Sequence, residues 1–146
     1  MVARSEHHLK SKCPIACALD VIGDHWTLLV IRDLMFFGRH EYKDMLAAEE
    51  GISSNILSDR LSKLECAGLI SSAAHPESKR RKLYFLTERG KDLIPTMLAI
   101  SKWSDRHLSD RVFIPDDRRP LLEMETEDVV RLVGEQLALW EAENLG

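Results

Sequence analysis

In residues 55–67 the apolar positions Leu57, Leu61 and Leu64 recur at i, i+4 and i+7. That spacing lays them on one narrow stripe of a helix, which must then be buried. Opposite the stripe stand Asn55, Ser58, Asp59 and Ser62, all short and polar. A solvated surface helix more often carries the long Glu/Lys/Arg mixture that supports i,i+4 pairs. Short side chains instead let a helix enter a groove as wide as the DNA major groove, where Asn reaches an adenine edge. Gly51 suits a turn, Ser53 or Ser54 a helix cap, and Gly68 a left-handed stop. An ordinary half-buried helix with a Ser-rich outer face has the same pattern, so the neighbouring elements carry the weight.

Upstream, residues 38–48 predict a short helix with Tyr42, Met45 and Leu46 inward, separated from the second helix by Glu49-Glu50-Gly51-Ile52. This is helix-turn-helix spacing, in which the first helix crosses the DNA backbone and the second enters the groove. Downstream, residues 69–75 and 82–87 predict two strands around residues 76–81. In the second strand Leu83 and Phe85 point one way, Tyr84 and Leu86 the other. The hairpin tip is expected to carry four consecutive cations, Lys79, Arg80, Arg81 and Lys82. Such a tip can lie along phosphates or enter the minor groove. The order helix, turn, helix, basic hairpin predicts a winged helix-turn-helix.

The flanking pattern is helical. Pro14, tolerated in a first turn, opens a helix over 15–22 that Gly23 closes. Asp24 caps a second over 25–37, with Trp26, Leu29, Val30, Leu34 and Phe37 as core. Thr87 caps a long helix over 88–107 that Pro95 should kink. Its apolar side, Leu93, Met97, Ile100, Trp103 and His107, is wide for a small domain, so part of it is expected to meet a second subunit. After a linker, 110–120, residues 126–141 place Val129, Val133, Leu137 and Trp140 on one helical face. A lone amphipathic helix of this length is marginal in water and must dock. Its own domain, a partner subunit and another protein are candidates. The fixed spacing that two recognition helices need favours the partner subunit.

The expected fold is therefore mainly α with a small β-hairpin: a dimeric winged helix-turn-helix with extra N- and C-terminal helices. Three segments are expected: an N-terminal arm (1–12), the DNA-binding domain with its dimerisation helices (13–108), and a linker with an acidic amphipathic helix (109–146). At 146 residues and 45% hydrophobic content the chain supports a modest core. No stretch approaches a membrane span and the polar opening lacks a signal-peptide apolar segment, so the expected location is cytoplasmic.

Net charge of −4 looks wrong for a DNA binder, but the charge is segregated. Residues 1–108 hold 16 Lys/Arg against 14 Asp/Glu, whereas 109–146 hold 4 against 10. What steers a protein to DNA is the local field of the wing and helix starts, and the tail can point elsewhere. The candidate contacts to double-stranded DNA are Arg39, Tyr42 and Lys43 on the first helix; Ser54, Asn55, Ser58, Asp59, Ser62 and Lys63 on the second; and Lys79, Arg80, Arg81 and Lys82 on the wing.

Three cysteines bear on regulation. Cys13 precedes Pro14 and so lies at a helix N-terminus, where partial positive charge lowers a thiol pKa. That makes it the sensor candidate. Cys17 is one turn on, and a disulfide between the two within a helix would be strained, so pairing across a dimer is easier. Cys66 ends the second helix. The plain alternative is three inert, reduced thiols. His7, His8, Cys13 and Cys17 match no common zinc spacing, so no metal is expected. Catalytic motifs are lacking too: no G-x-S-x-G, no H-E-x-x-H and no phosphate-binding Gly loop, so neither an enzyme nor a cofactor is expected.

The segments Cys13-Pro14-Ile15, Leu19 to Leu29, Leu57-Ser58-Asp59-Arg60-Leu61, Leu64 to Ile70, Tyr84 to Gly90, and Trp103 resemble the HxlR family of bacterial transcriptional regulators, relatives of the MarR winged-helix proteins. The resemblance covers residues 13–107 in order. It implies a homodimeric DNA-binding regulator of nearby genes, with many members responding to oxidants or electrophiles through the Cys before the first helix. Two features depart from the family pattern. His25 stands where members usually carry Lys or Arg before the Trp, and the chain runs past the usual end.

Two other readings remain open on the residues alone. One is a regulator gated by a small aromatic or flavin-like effector between Trp26, Trp103 and the dimer helices. The other is a winged helix used only for protein contact, a role that has no need of four adjacent cations beside a Ser/Asn-faced helix.

Overall fold

The protein, described here over residues 10–146 as a computed structural model, builds its helix-turn-helix in the order the sequence predicts. Helices α1 (Pro14–Ile22), α2 (Thr27–Met35), α3 (Tyr42–Leu46) and α4 (Ser54–Cys66) come first. The antiparallel hairpin β1 (Ile70–His75) and β2 (Ser78–Leu86) follows. Then come α5 (Glu88–Lys91), α6 (Ile94–His107), α7 (Arg119–Glu123) and α8 (Thr126–Asn144). Residues 1–9 lie outside the described range, and with them most of the expected arm and the histidines His7 and His8.

One core holds these elements together. Leu57, Leu61 and Leu64 of α4 are all buried, as their spacing demands, against Val30, Ile31 and Leu34 of α2 and Ile94 and Leu98 of α6. The α4 start is capped by Ser53, whose hydroxyl accepts from the Ile56 N–H at 3.2 Å. Its end is closed by Gly68 at φ +76, with the Leu69 N–H returning to the Leu64 carbonyl at 3.0 Å. Past the hairpin, Thr87 caps α5, and Gly90 lets that helix cross the end of β1: a Cβ there would lie 2.2 Å from the Leu69 carbonyl oxygen.

Four expectations need correction. The second helix starts at Thr27, not residue 25, because the Asp24 carboxylate accepts from the N–H groups of Trp26 (2.8 Å) and Thr27 (3.0 Å) and holds the intervening turn outside the helix. It ends at Met35, and Phe37, expected in the core, is 40% exposed because the chain turns away at Gly38 (φ +63). The hairpin turns at Pro76 and Glu77, so the four cations sit in the first half of β2 rather than at the tip. Ala74 pairs with Lys82 and His75 with Ser78, which leaves Lys79, Arg80 and Arg81 as an extra loop of strand with no partner in β1. Pro95 kinks nothing: it stands in the first turn of α6, where its missing N–H is harmless, and separates α5 from α6.

The fourth correction concerns the tail. Val129, Val133 and Leu137 of α8 are buried, as their spacing predicts, but in the core of their own domain rather than against a partner subunit. Trp140 stacks on His40, ring centroids 3.5 Å apart and planes 15° from parallel. Glu141 accepts an ion pair from Lys91 of α5 at 2.9 Å. The acidic helix thus packs behind the helix-turn-helix. Among the described residues no single helix is long and apolar enough to cross a membrane.

Candidate nucleic-acid interface

Burial of the leucine stripe leaves Ser54, Asn55, Ser58, Asp59, Ser62 and Lys63 of α4 on the exposed face. Asn55, Ser58 and Ser62 present short donors and acceptors, the chemistry that reads base edges. Asp59 is tied to Lys63 at 3.1 Å and to Arg60 at 2.5 Å. Its carboxyl is held below the usual range first by Lys63 and then by Arg60. That carboxylate therefore cancels part of the local positive field, and Asp59, which repels phosphate, orders the helix surface through Lys63 and Arg60.

Tyr42 joins the two helices. Its hydroxyl donates to the Ser54 carbonyl at 3.0 Å and lies 3.3 Å from Ser58 Oγ. It fixes the angle at which α4 leaves the turn, while Lys43 beside it is exposed and without an ion pair among the described residues. Arg39, ahead of α3, donates to the buried carboxylate of Asp33 at 2.9 Å and stays partly exposed.

The wing is anchored as well as charged. Lys79, Arg80 and Lys82 are exposed, with no ion pair among the described residues. Arg81 behaves differently: its guanidinium clasps both oxygens of Glu41, at 2.7 and 2.8 Å. A bidentate pair of this kind fixes geometry, so Arg81 ties the wing to the start of α3. The Glu41 carboxyl is lowered mainly by this hydrogen bond and the Arg81 pKa raised by it.

A second tie runs through His40. It accepts the Tyr84 N–H on its carbonyl at 2.8 Å, and its Nδ1 lies 2.8 Å from the Tyr84 carbonyl oxygen. Since that oxygen only accepts, Nδ1 carries the proton. Burial pushes the imidazole pKa down, against the opposing pull of the Tyr84 carbonyl, Glu141 and Asp44. A neutral His40 under Trp140 thus links the tail, the wing and the start of α3.

Asp24 does two jobs. Besides starting α2, it accepts from Arg60 Nε of α4 at 2.9 Å and from the Thr27 hydroxyl. Burial works to raise its pKa, but the hydrogen bonds from Thr27, Arg60 and the backbone outweigh it and bring the value down to about 2. Sequence reading found Asp24 as a cap and missed Arg60, Glu41 and His40 as buttresses. Glu41 and His40 adjoin the first helix, but their partners lie 40 and 44 residues away, and no local pattern links them.

Cys13 is fully exposed at the N-cap of α1. The backbone N–H groups of Ala16 and then Ile15 lower its thiol pKa from the ordinary value. Cys17 and Cys66 are exposed and free; Cys17 Sγ donates to the Ser11 carbonyl at 3.4 Å. Helix α1 buries no residue, and its Ile15, Leu19 and Val21 face outward, as do Ile100 and Trp103 of α6.

This arrangement, a buttressed recognition helix with a basic wing, is that of a winged helix-turn-helix regulator. Residues 21–112 match the HxlR-like helix-turn-helix family, and the chain belongs to it. It is similar to an uncharacterized HTH-type transcriptional regulator of Synechocystis sp., 37% identical over 90 residues, 62% of this chain and 66% of that relative's length. In three dimensions it is similar to the crystal structure of PA1607 (36% identity, TM-score 0.60, covering 75% of this chain and 72% of that one). It also resembles the redox regulator HypR in its oxidized form (27% identity, TM-score 0.57, covering 65% and 97%). The matched segment is thus a helix-turn-helix of a kind found in transcriptional regulators, and it spans from about half to just under two thirds of the length of the first of these curated relatives.

Proposed function

We propose that the chain acts in the cytoplasm as a homodimeric, sequence-specific DNA-binding regulator whose affinity for its operator is set by the state of the Cys13 thiol. The observation that carries this reading is α4: three buried leucines on one side and exposed Asn55, Ser58 and Ser62 on the other. In this reading Asn55, Ser58 and Ser62, with Ser54 at the helix start, meet base edges, while Lys43, Lys63, Lys79, Arg80 and Lys82 meet phosphates. Arg39, Tyr42, Asp59 and Arg81 hold the head and wing in place at the edge of the same surface.

Dimerisation is supported by α1, which packs Ile22 against its own core yet leaves Ile15, Leu19 and Val21 exposed, and by the exposed Ile100 and Trp103 of α6. Several large apolar side chains left exposed on two helices fit an association surface. Cys13 begins α1, so a thiol modified there changes the element offered to the partner. A small shift suffices, since a dimer must satisfy two half-sites at once. The likeness to a redox regulator agrees with this reading. The test is a gel shift against DNA flanking the chain's own gene, with and without diamide. Retarded DNA that is released by diamide and restored by thiol is expected. A shift insensitive to diamide removes the redox part, and no shift on any flanking duplex removes the whole reading.

A further inference from the structure

Tyr42 and Ser58 face each other where α3 meets α4. The Tyr42 hydroxyl lies 3.0 Å from the Ser54 carbonyl oxygen and 3.3 Å from Ser58 Oγ. A carbonyl oxygen only accepts, and a phenol has one proton to give. The Tyr42 proton is therefore spent on Ser54. Two oxygens 3.3 Å apart with no proton between them would repel, so the Ser58 hydroxyl donates to Tyr42. Its one proton points inward, and its outward side carries lone pairs alone.

The phenol is held firmly enough to impose this. Its ring packs against the core, and the preceding residue, Glu41, is clasped by Arg81 of the wing at 2.7 and 2.8 Å. Ser58 itself is exposed and stands one turn after Ser54, the first residue of α4. That is the part of a recognition helix that meets base edges. Asn55 beside it differs, because its amide carries both a carbonyl and an NH₂ group and can meet either kind of edge.

In the major groove adenine and cytosine present an amino donor, whereas guanine and thymine present a keto acceptor, so each base pair has one base of each kind. A serine with a free proton suits both, by turning its hydroxyl. Ser58 can turn toward a keto oxygen only by giving up its bond to Tyr42. We infer that Ser58 reads DNA as an acceptor only and selects an amino base, adenine or cytosine, on the strand it faces, with Tyr42 as the positioning residue that imposes the choice. This role deepens the DNA-binding reading above and rests on it.

The wild-type chain first selects its preferred site from a pool of random-sequence duplexes. Each position of that site is then given all four base pairs, and binding is measured by fluorescence anisotropy for wild type, Ser58→Ala and Tyr42→Phe, the last of which keeps the ring that packs on the core. One position in each half-site should favour adenine and cytosine over guanine and thymine on one strand by about five- to tenfold, the worth of one hydrogen bond made against one forgone. Ser58→Ala should level the four pairs there. Tyr42→Phe frees the Ser58 proton, so at that position alone the ratio should fall to about twofold or less. Purine in place of adenine, which lacks only the 6-amino group, should weaken wild type more than it weakens Ser58→Ala. A merely structural tyrosine would instead blur every position alike. That uniform blurring, a ratio unmoved by Tyr42→Phe, or equal purine effects on wild type and Ser58→Ala overturns the inference. So does a Ser58→Ala variant that levels no position, or one that levels a position whose pairs sort in any way other than amino against keto. A pool in which wild type enriches no sequence fails the DNA-binding reading itself, whereas enrichment without the amino-against-keto position fails this inference alone.

Discussion

Trp140, in the last turns of the C-terminal helix, stacks face to face on His40, 3.5 Å away between centroids, and His40 in turn holds the Tyr84 backbone in the wing from both its carbonyl and its ring. A segment beyond the family match thus supports the residues that aim the wing. Trp140→Ala should destabilise the fold by about 2–3 kcal/mol, below the ~3–5 of a fully buried aromatic because Trp140 is only half-buried. It should also let water reach His40 and move its pKa up toward the ordinary imidazole value. Histidine titration followed by NMR, together with urea unfolding, checks both. An unmoved His40 pKa means that the stack does not shield the ring.

The same histidine gives stability a pH dependence. Its folded pKa is depressed by burial, so the neutral form is favoured in the fold and protonation opposes folding. This contribution is present above the unfolded value of about 6.5 and is lost as pH falls through the lower folded pKa. Asp24 acts further down. Its folded value of about 2 lies below the ordinary 3.8, so its stabilisation is complete above about pH 4 and lost as pH falls toward 2. With solvent screening of a partly exposed site it amounts to about 1–2 kcal/mol. Asp24→Asn should reduce the acid step, leaving the share that Glu41 and Asp59 contribute, and should leave the step near neutrality. Unchanged acid melting in that variant would show that the Asp24–Arg60 tie contributes little.

Local chemistry explains what the sequence made legible. The α4 leucine stripe, the Ser53 cap, Gly68, the Thr87 cap and the α8 stripe are each defined within a few residues, and each appears where the pattern puts it. The displaced features depend on partners far along the chain. Nothing near residue 140 announces His40, and nothing near Arg81 announces Glu41. The partner chosen by α8 was open for the same reason: an apolar stripe states that a helix must dock, not where. Pro95 reads as an interior proline because the pattern on both sides is helical, and only the break at Leu93 makes it a first-turn one.

Cys13 should react faster with iodoacetamide than Cys17 or Cys66 at neutral pH, and its rate profile should begin to fall at lower pH than that of a free thiol. Peptide mass spectrometry after a brief pulse ranks the three. If Cys66 leads, the N-terminal cysteine is not the sensor. Cys13→Ser should retain DNA binding and lose the diamide response.

Lys79→Ala with Arg80→Ala should weaken binding to every duplex alike and reduce the slope of log affinity against log salt by roughly 1.8, the release of about two counterions. Arg81→Ala should weaken binding with a smaller change in slope, because its charge is already held by Glu41. Equal slope changes for both variants would mean that Arg81 leaves Glu41 for phosphate on binding.

The central claim, that the exposed face of α4 reads sequence, is tested most directly by fluorescence anisotropy on operator and random duplexes at one salt concentration, comparing wild type with Asn55→Ala and Ser58→Ala. The account predicts a loss of about 1–3 kcal/mol on the operator with little change on random DNA. Equal loss on both, or none on either, would contradict it.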